Sequence, residues 1–493
     1  MVANGTNETA ARIALRLMGG AGGASIGVGV SEARPHRFGE VDAKVPVWRR
    51  GHGFASCLRS AMPLIASVVL SLAACGGGTV TDSTGPKPPT DTTTTPPGTV
   101  QRATLAVQVK IDPADAALAA AVGLTPAGVT VRLARNGAAE APRTAVTGSD
   151  GVARFEQLLE GSYQVSVDRP LSAAEQAKLP AEDRDATLFA AGSQPFVAPP
   201  TAAVSLALVA SRRGSIVISE LWSYSGPGPT LYPWGNYVEF YNNSDTTVYL
   251  DGMLFFRTGL NMHRAESSDL CGRNESFRND SAAVWVVLVH AFPGSGREYP
   301  VPPGRGKVLA MDAINHASAA PSGSGQLDLS NADFEFIGSD ADVDNPDAAN
   351  MVRVRAGTGA LGRGYGFASM AAYGIALPLA SSLDSGLTRG TVAASIDSDT
   401  WAFRMSRDRI LDVFGVDYSP AQQAFPGSSI RCVPWLAPVF ERGPANLLDN
   451  AIPSAIRRKT LGRTPDGREI LQRTRTSARD FEYGEALRRS LNK

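Results

Sequence analysis

The amino-acid sequence predicts a mainly β chain, two β-sandwiches in tandem with long loop insertions in the second. Short runs that alternate apolar and polar residues carry the first part of that expectation, because successive side chains of a strand point to opposite faces. The turn formers carry the rest: 50 glycines and 33 prolines in 493 residues favour an all-β chain with turns and long loops. Charge narrows function rather than fold. Lys and Arg number 47, and so do Asp and Glu, so no global field draws the chain to nucleic acid.

Residues 1–74 read as an upstream extension followed by an export signal. The run Ala61–Ala74 is apolar with one proline, follows Arg49, Arg50 and Arg59, and closes on Leu72-Ala73-Ala74-Cys75. At about 14 residues it falls short of the ~20 that a spanning helix needs, and the small residues before Cys75 suit a peptidase. This stretch resembles a bacterial lipoprotein signal, which implies that the Cys75 thiol takes a diacylglycerol and becomes the new N-terminus; a buried helix is the competing reading. Residues 75–100 follow as a Gly and Thr/Pro tract that cannot pack a core and forms an extended tether. Gly76 rather than Asp after the cysteine is compatible, by resemblance to enterobacterial lipoproteins, with sorting to the outer membrane. The expected location is the cell envelope, on the periplasmic or surface face. A signal normally begins a chain, so initiation at a valine such as Val45 or Val47 is expected.

Residues 101–210 read as the first sandwich. "TLAVQVKI" puts Leu105, Val107, Val109 and Ile111 on one face, and "VTVRLA" and "SYQVSVD" alternate likewise. Gly148-Ser149-Asp150-Gly151 and Glu160-Gly161 supply turns between strands. This stretch resembles the prealbumin-like modules of bacterial surface proteins, including carboxypeptidase-regulatory-like domains, which implies a stalk. Leu171 to Asp185, rich in Ala, Glu and Lys, reads as a helical insertion between late strands.

Residues 214–493 read as the second sandwich. "SIVISELW" and "NYVEFYNNSDTTVYLDGMLFF" are strands, the latter a pair around the turn Asn243-Ser244-Asp245, with Val238 and Phe240 on one face and Tyr237, Glu239 and Tyr241 on the other. The stretch resembles the lamin-tail-like immunoglobulin sandwich. The blocks "PGSGREYPVPPGRGKVLAMDAINH", "LDLSNADFEFIGSDADVDNPDAANMVRV" and "SAIRRKTLGRTPDGREILQRTRTSARDF" resemble the family catalogued as domain of unknown function 4876, bacterial secreted or lipid-anchored proteins. That resemblance brings no established catalytic residues to carry over to this chain. The tail from Arg457 reads as a last strand and a charged surface segment.

Four cysteines are present. Cys57 leaves with the signal and Cys75 is acylated, so Cys271 and Cys432 remain in a compartment that can be oxidising. A single long-range disulfide between them is the economical reading, and two free thiols are the alternative.

Enzyme signatures are sparse. The mature part has His263, His290 and His316, without a His-Glu-x-x-His pair or a Gly-x-Ser-x-Gly elbow. Gly357 to Gly362, "GTGALG", matches a dinucleotide fingerprint, but the preceding Val352-Arg353-Val354-Arg355 alternates where such a fold wants a fully apolar strand. In the acidic stretch Asp340, Asp342 and Asp344 recur at every second residue, a spacing of oxygen ligands that suits calcium. Asn345 and Met351 stand where a helix-loop-helix calcium loop needs Gly and Glu, and a solvated acidic loop is the competing reading. Tyr232, Trp234 and Tyr237 gather beside a loop, ready to bind a glycan or a partner protein or to plug one end of the sandwich. His316, in "DAINH", belongs with them as a binding candidate or as a hydrogen-bonded structural residue. The function expected is a non-catalytic, lipid-anchored envelope protein with stalk and binding modules, without a cofactor apart from the calcium reading and accessory to an outer-membrane receptor or a glycan. The competing function is a metal-dependent hydrolase, or a subunit of one, that uses Asp312, His316 and the acidic loop.

Overall fold

Period-two alternation in Ala103–Ile111 buries Leu105, Val107 and Val109 together, and the same alternation recurs in Thr130–Arg135 and in the first half of Val152–Leu158. The computed structural model describes residues 101–224, 232–336, 344–356, 371–379, 387–393, 399–418, 430–447 and 453–486. The signal, the tether, Cys75, Asp340, Asp342 and Gly357 to Gly362 lie outside the described residues.

Eight strands make the first sheet among the described residues: β1 (Ala103–Ile111), β2 (Thr130–Arg135), β3 (Arg143–Val146), β4 (Val152–Leu158), β5 (Gly161–Pro170), β6 (Leu188–Ser193), β7 (Phe196–Val197) and β8 (Thr201–Ser211). Their order is β3-β2-β5-β6-β8-β1-β4, with β7 on β5. Both layers of the sandwich thus belong to one curled hydrogen-bonded path around a core that includes Leu105, Val131, Phe155, Val165, Phe189 and Leu208. Gly151 supplies the turn into β4 with φ +72°, a conformation that L side chains rarely adopt. The expected insertion between β5 and β6 is two short helical turns, Ala173–Gln176 and Ala181–Asp183, the first closed by a capping box between Ser172 and Glu175. A further helix, α1 (Ala116–Val122), was not anticipated. Asp112 and Pro113 start the turn before it, and Gly123 ends it at φ +73°.

The second sheet has twelve strands among the described residues: β9 (Ile216–Trp222), β10 (Tyr237–Asn242), β11 (Leu254–Arg257), β12 (Leu288–Ala291), β13 (Gly306–Ala310), β14 (Phe334–Phe336), β15 (Ala349–Ala356), β16 (Ala371–Ala376), β17 (Ile410–Tyr418), β18 (Ala445–Leu447), β19 (Ala455–Arg458) and β20 (Phe481–Gly484). They run β18-β17-β16-β11-β12-β15-β14-β13-β10-β9-β19-β20. Val238 and Phe240 of β10 enter an aromatic core, where Phe240 meets Phe255 and Phe292 edge-on at 5.8 and 5.3 Å between ring centres. Its other face is buried as well, with Tyr237 packed among Trp222, Val308 and Ala310. The strands flanking Asn243 do not pair with each other, contrary to the sequence expectation. β10 bonds to β9 and β13, and Val248–Tyr249 pairs with Pro300–Val301. The turn is tied to other segments instead: Asn242 Nδ2 donates to the local Thr246 O and to Val301 O, and Asn243 Nδ2 to Arg213 O and Leu471 O. The long insertions build a three-stranded sheet (Ala283–Val286, Asp399–Ser406, Thr388–Ala393) over a second core that includes Phe256, Val284, Met405 and Trp435.

The C-terminal segment corrects the reading of a charged surface tail. Its hairpin, Thr460–Arg463 with Glu469–Leu471, lays Leu461 and Ile470 on Leu188, Ala190 and Val209 of the first sandwich. At Gly192 the hairpin backbone comes so near that an added Cβ would stand 2.9 Å from Leu461 O. Arg458 and Arg475 are buried because aspartates of neighbouring strands and of the first sandwich neutralise them. Among the described residues no helix is long and apolar enough to cross a membrane.

Candidate functional site

The aromatic end of the second sandwich brings two of its four expected residues together. β13 leads into Asp312, and the chain then turns into the short helix His316–Ala319, whose N-terminal Asn315 caps Ser318 N–H. His316 is fully buried. Its Nε2 lies 2.7 Å from Asp312 O, and its Nδ1 lies 2.9 Å from the Tyr232 hydroxyl. A carbonyl only accepts, so Nε2 carries the proton and Nδ1 accepts from Tyr232. Burial holds the imidazole below its ordinary pKa, against the pull of the Asp312 carbonyl. Both nitrogens are thereby committed to structure. Trp234 is 37% exposed at the same loop, whereas Tyr237 is buried and its hydroxyl donates to Glu220. Tyr237 is therefore not an exposed aromatic, and Trp234 is the ring that faces solvent.

The acidic stretch is described only from Asp344 onward. Asp344 Oδ1 accepts from Asn350 Nδ2 at 2.7 Å. Asn345 is a clamp, its amide donating to Ala313 O and Ser330 O while its backbone N–H meets Glu335. Among the described residues no three His, Cys, Asp or Glu side chains converge as metal ligands.

Cys271 and Cys432 form a disulfide with Cα atoms 5.3 Å apart. Cys271 lies on the helix Ser268–Arg273, a more regular setting than expected, and Cys432 follows the strand Ile430–Arg431, which pairs with Arg264–Ala265. Beside the bridge the fully buried Arg278 donates to the carbonyls of Met262, Cys271 and Pro434. His263 stacks on Trp435 with ring centres 4.2 Å apart, and burial pushes its pKa down to about 3. His290 is likewise buried, held at about 4 by desolvation and by Arg353 and Arg257. These histidines behave as neutral core residues.

A cluster at the junction of the two sandwiches went unnoticed in the sequence. Asp183, on the insertion after β5, accepts from Arg212 at 2.9 Å, Arg442 at 2.8 Å and Arg475 at 2.5 Å. Arg212 also reaches Asp185 at 2.8 Å. Asp412 of β17 accepts from Arg458 at 2.6 Å and Arg473 at 2.9 Å. These partners lie up to 292 positions apart, which is why no local pattern announced them; the one signal was the density of arginines after Arg457. A cavity of about 210 Å³ opens among Asp185, Arg407, Asp412, Arg473, Arg475 and Asp480.

No family model matches the sequence, and no curated protein matches it. The structure is similar to the crystal structure of a domain-of-unknown-function 4876 protein from Bacteroides thetaiotaomicron, at 17% identity and a TM-score of 0.43, covering 77% of this chain and 94% of that one. Weaker likenesses are to a domain-of-unknown-function 3823 protein from Parabacteroides merdae (10% identity, TM-score 0.15, 32% and 67% covered) and to a candidate carbohydrate-binding protein from Bacteroides uniformis (10% identity, TM-score 0.14, 31% and 60% covered). The 4876 family is the one that the separated sequence blocks resemble.

Proposed function

We propose that this chain is a non-catalytic, lipid-anchored protein of the bacterial envelope, in which a Thr/Pro tether carries two fastened sandwiches away from the outer membrane and the second presents a binding surface. The anchor rests on the residues Leu72 to Cys75 and on the tether after them. The observation that favours binding over catalysis is His316: both of its nitrogens are held by Tyr232 and Asp312, and it is fully buried. A hydrolase that used that histidine as a base would have to displace Tyr232 from Nδ1, the nitrogen that carries the lone pair, inside a fully buried corner. Trp234 offers an exposed ring beside this corner, the chemistry that stacks on a sugar face or anchors a partner protein, so a glycan or an outer-membrane receptor is the proposed partner. Metabolic palmitate labelling tests the anchor: the label should enter the wild type and vanish in Cys75→Ser, and labelling that persists in the variant contradicts it. A glycan array probed with wild type and Trp234→Ala tests the surface.

A further inference from the structure

We infer that the first sandwich binds a phosphate monoester group at a cavity lined by Arg102, Arg135 and Arg143. This goes beyond the role above, which places the binding surface on the second sandwich. Three separate segments bring the arginines together: Arg102 stands just before β1, Arg135 ends β2 and Arg143 begins β3. Glu140 is the only acidic residue in that lining, so three positive charges meet one negative charge, an excess of two. Arg102 and Arg143 are exposed and Arg135 is half-buried, so a ligand can reach them from solvent. Arg135 Nη2 donates to Glu160 O at 2.9 Å, and Arg143 Nη1 donates to Glu156 O at 2.8 Å. Each bond steadies a guanidinium through one nitrogen on a neutral carbonyl, which leaves the charge unbalanced. None of the three arginines makes an ion pair among the described residues, and the exposed carboxylates of Glu156 and Glu160 lie outside the lining.

The backbone is shaped to the same cavity. Ala103 pairs with Leu158 and Leu105 with Phe155, so Glu156 and Gln157 of β4 together oppose Thr104. Such a bulge re-aims the groups on it: Glu156 O takes Arg143, and Gln157, at φ +60°, lines the cavity with an amide that can donate. A long side chain at positive φ is strain of the kind that gathers at binding sites. Gly161 lets Arg135 lie close, since a Cβ there would stand 3.2 Å from Arg135 Nε. Size and charge then choose the ligand. The cavity of about 70 Å³ has room for roughly five water-sized atoms, the bulk of one phosphate group. A phosphate monoester carries about −1.5 to −2 at pH 7 and three strong acceptor oxygens, which match the excess of two charges and the donor forks of arginine. A carboxylate brings one charge and two oxygens. The rest of the ligand stays outside the cavity, so a lipid headgroup and a soluble phosphomonoester present the same chemistry to it.

Calorimetric titration of the detergent-solubilised full chain with methyl phosphate, at low salt and about pH 8 where the ester is doubly charged, tests this. Acetate and dimethyl phosphate serve as singly charged probes. Saturable methyl phosphate binding is expected, with both other probes about tenfold weaker or more. Arg102→Gln, which breaks no hydrogen bond or ion pair among the described residues, should weaken methyl phosphate about tenfold and leave the unliganded Tm unchanged. Lys110→Gln, an exposed cation near the other end of β1, should leave binding as it is. Dibutanoyl phosphatidic acid distinguishes the sources: affinity no higher than that of methyl phosphate assigns the site to soluble phosphomonoesters, and higher affinity assigns it to a lipid headgroup. No saturable heat, acetate equal to methyl phosphate, undiminished binding in Arg102→Gln, or an equal loss in Lys110→Gln would each overturn the inference. Its failure would leave the Trp234 surface and the anchor untouched, because neither shares a residue with this cavity.

Discussion

Two buried ionisable residues give stability opposite pH dependences. Glu441 accepts from Ser477 Oγ, Ser477 N and Gly443 N, yet burial outweighs those bonds and pushes its pKa up to about 8 from 4.5. Its folded pKa is the higher one, so its contribution is full below pH 4.5 and is lost as pH rises to about 8. His263 runs the other way: its folded pKa of about 3 lies below the unfolded 6.5, so its contribution holds above pH 6.5 and fades as pH falls towards 3. Urea unfolding across both intervals should show the slope between 4.5 and 8 shrink in Glu441→Gln, and the acid slope shrink when His263 is replaced by Gln. Unchanged slopes would mean that neither group is buried as described. His316 was legible as a structural histidine, because a lone histidine after a strand usually finds hydrogen bonds. Nothing local in the sequence distinguished Tyr237 from Trp234; strand parity put Tyr237 opposite Val238, but only the cover of Trp222 and Ala310 buries that second face.

At the scale of elements, the Cys271–Cys432 bridge spans 161 positions and pins the insertion to the later chain. Chain entropy assigns a loop of that length about 5 kcal/mol, so replacing both cysteines with serine should lower the unfolding free energy by several kcal/mol, with the first loss of hydrogen-exchange protection around Arg278 and His263. Uniform loss over the whole chain would contradict a local tether. A second element test sits at Gly192, where the C-terminal hairpin crosses β6. Gly192→Ala drives a methyl group against Leu461 O and should cost about 1 to 3 kcal/mol as overpacking, read as a drop in denaturation midpoint. Strands β1, β2, β4 and β5 of the first sandwich were legible because each alternates or follows a glycine turn, whereas β6, with four consecutive buried residues from Leu188 to Ala191, carries no such alternation. Helix α1 was missed although Asp112, Pro113 and Gly123 bracket it, since its alanine-rich body shows little amphipathic contrast. The pairing of β10 with β9 and β13 was not legible, because its partners lie in separate stretches of the chain and no local turn joins β10 to β13.

At the scale of the whole molecule, Asp183 is the fastener. It sits in the first sandwich and holds Arg212, Arg442 and Arg475, while Arg479 reaches back to Asp112 and Asp115. Replacing Asp183 with Asn removes the charge that balances three guanidinium groups, a change expected to cost about 3 to 5 kcal/mol for a buried network and to split one cooperative thermal transition into two. A single transition at an unchanged Tm would show that the hairpin contact and the Arg479 pairs join the sandwiches without Asp183. A fastened pair suits the proposed role, in which the two sandwiches would act as one body that presents the Trp234 corner. That role depends most on how the chain is anchored. Mass spectrometry of the protein recovered from bacterial membranes is the most direct measurement: the account predicts an N-terminal peptide that begins at a diacylglyceryl-modified Cys75 and no peptide from residues 1–74, whereas membrane-bound protein that retains those residues would contradict it.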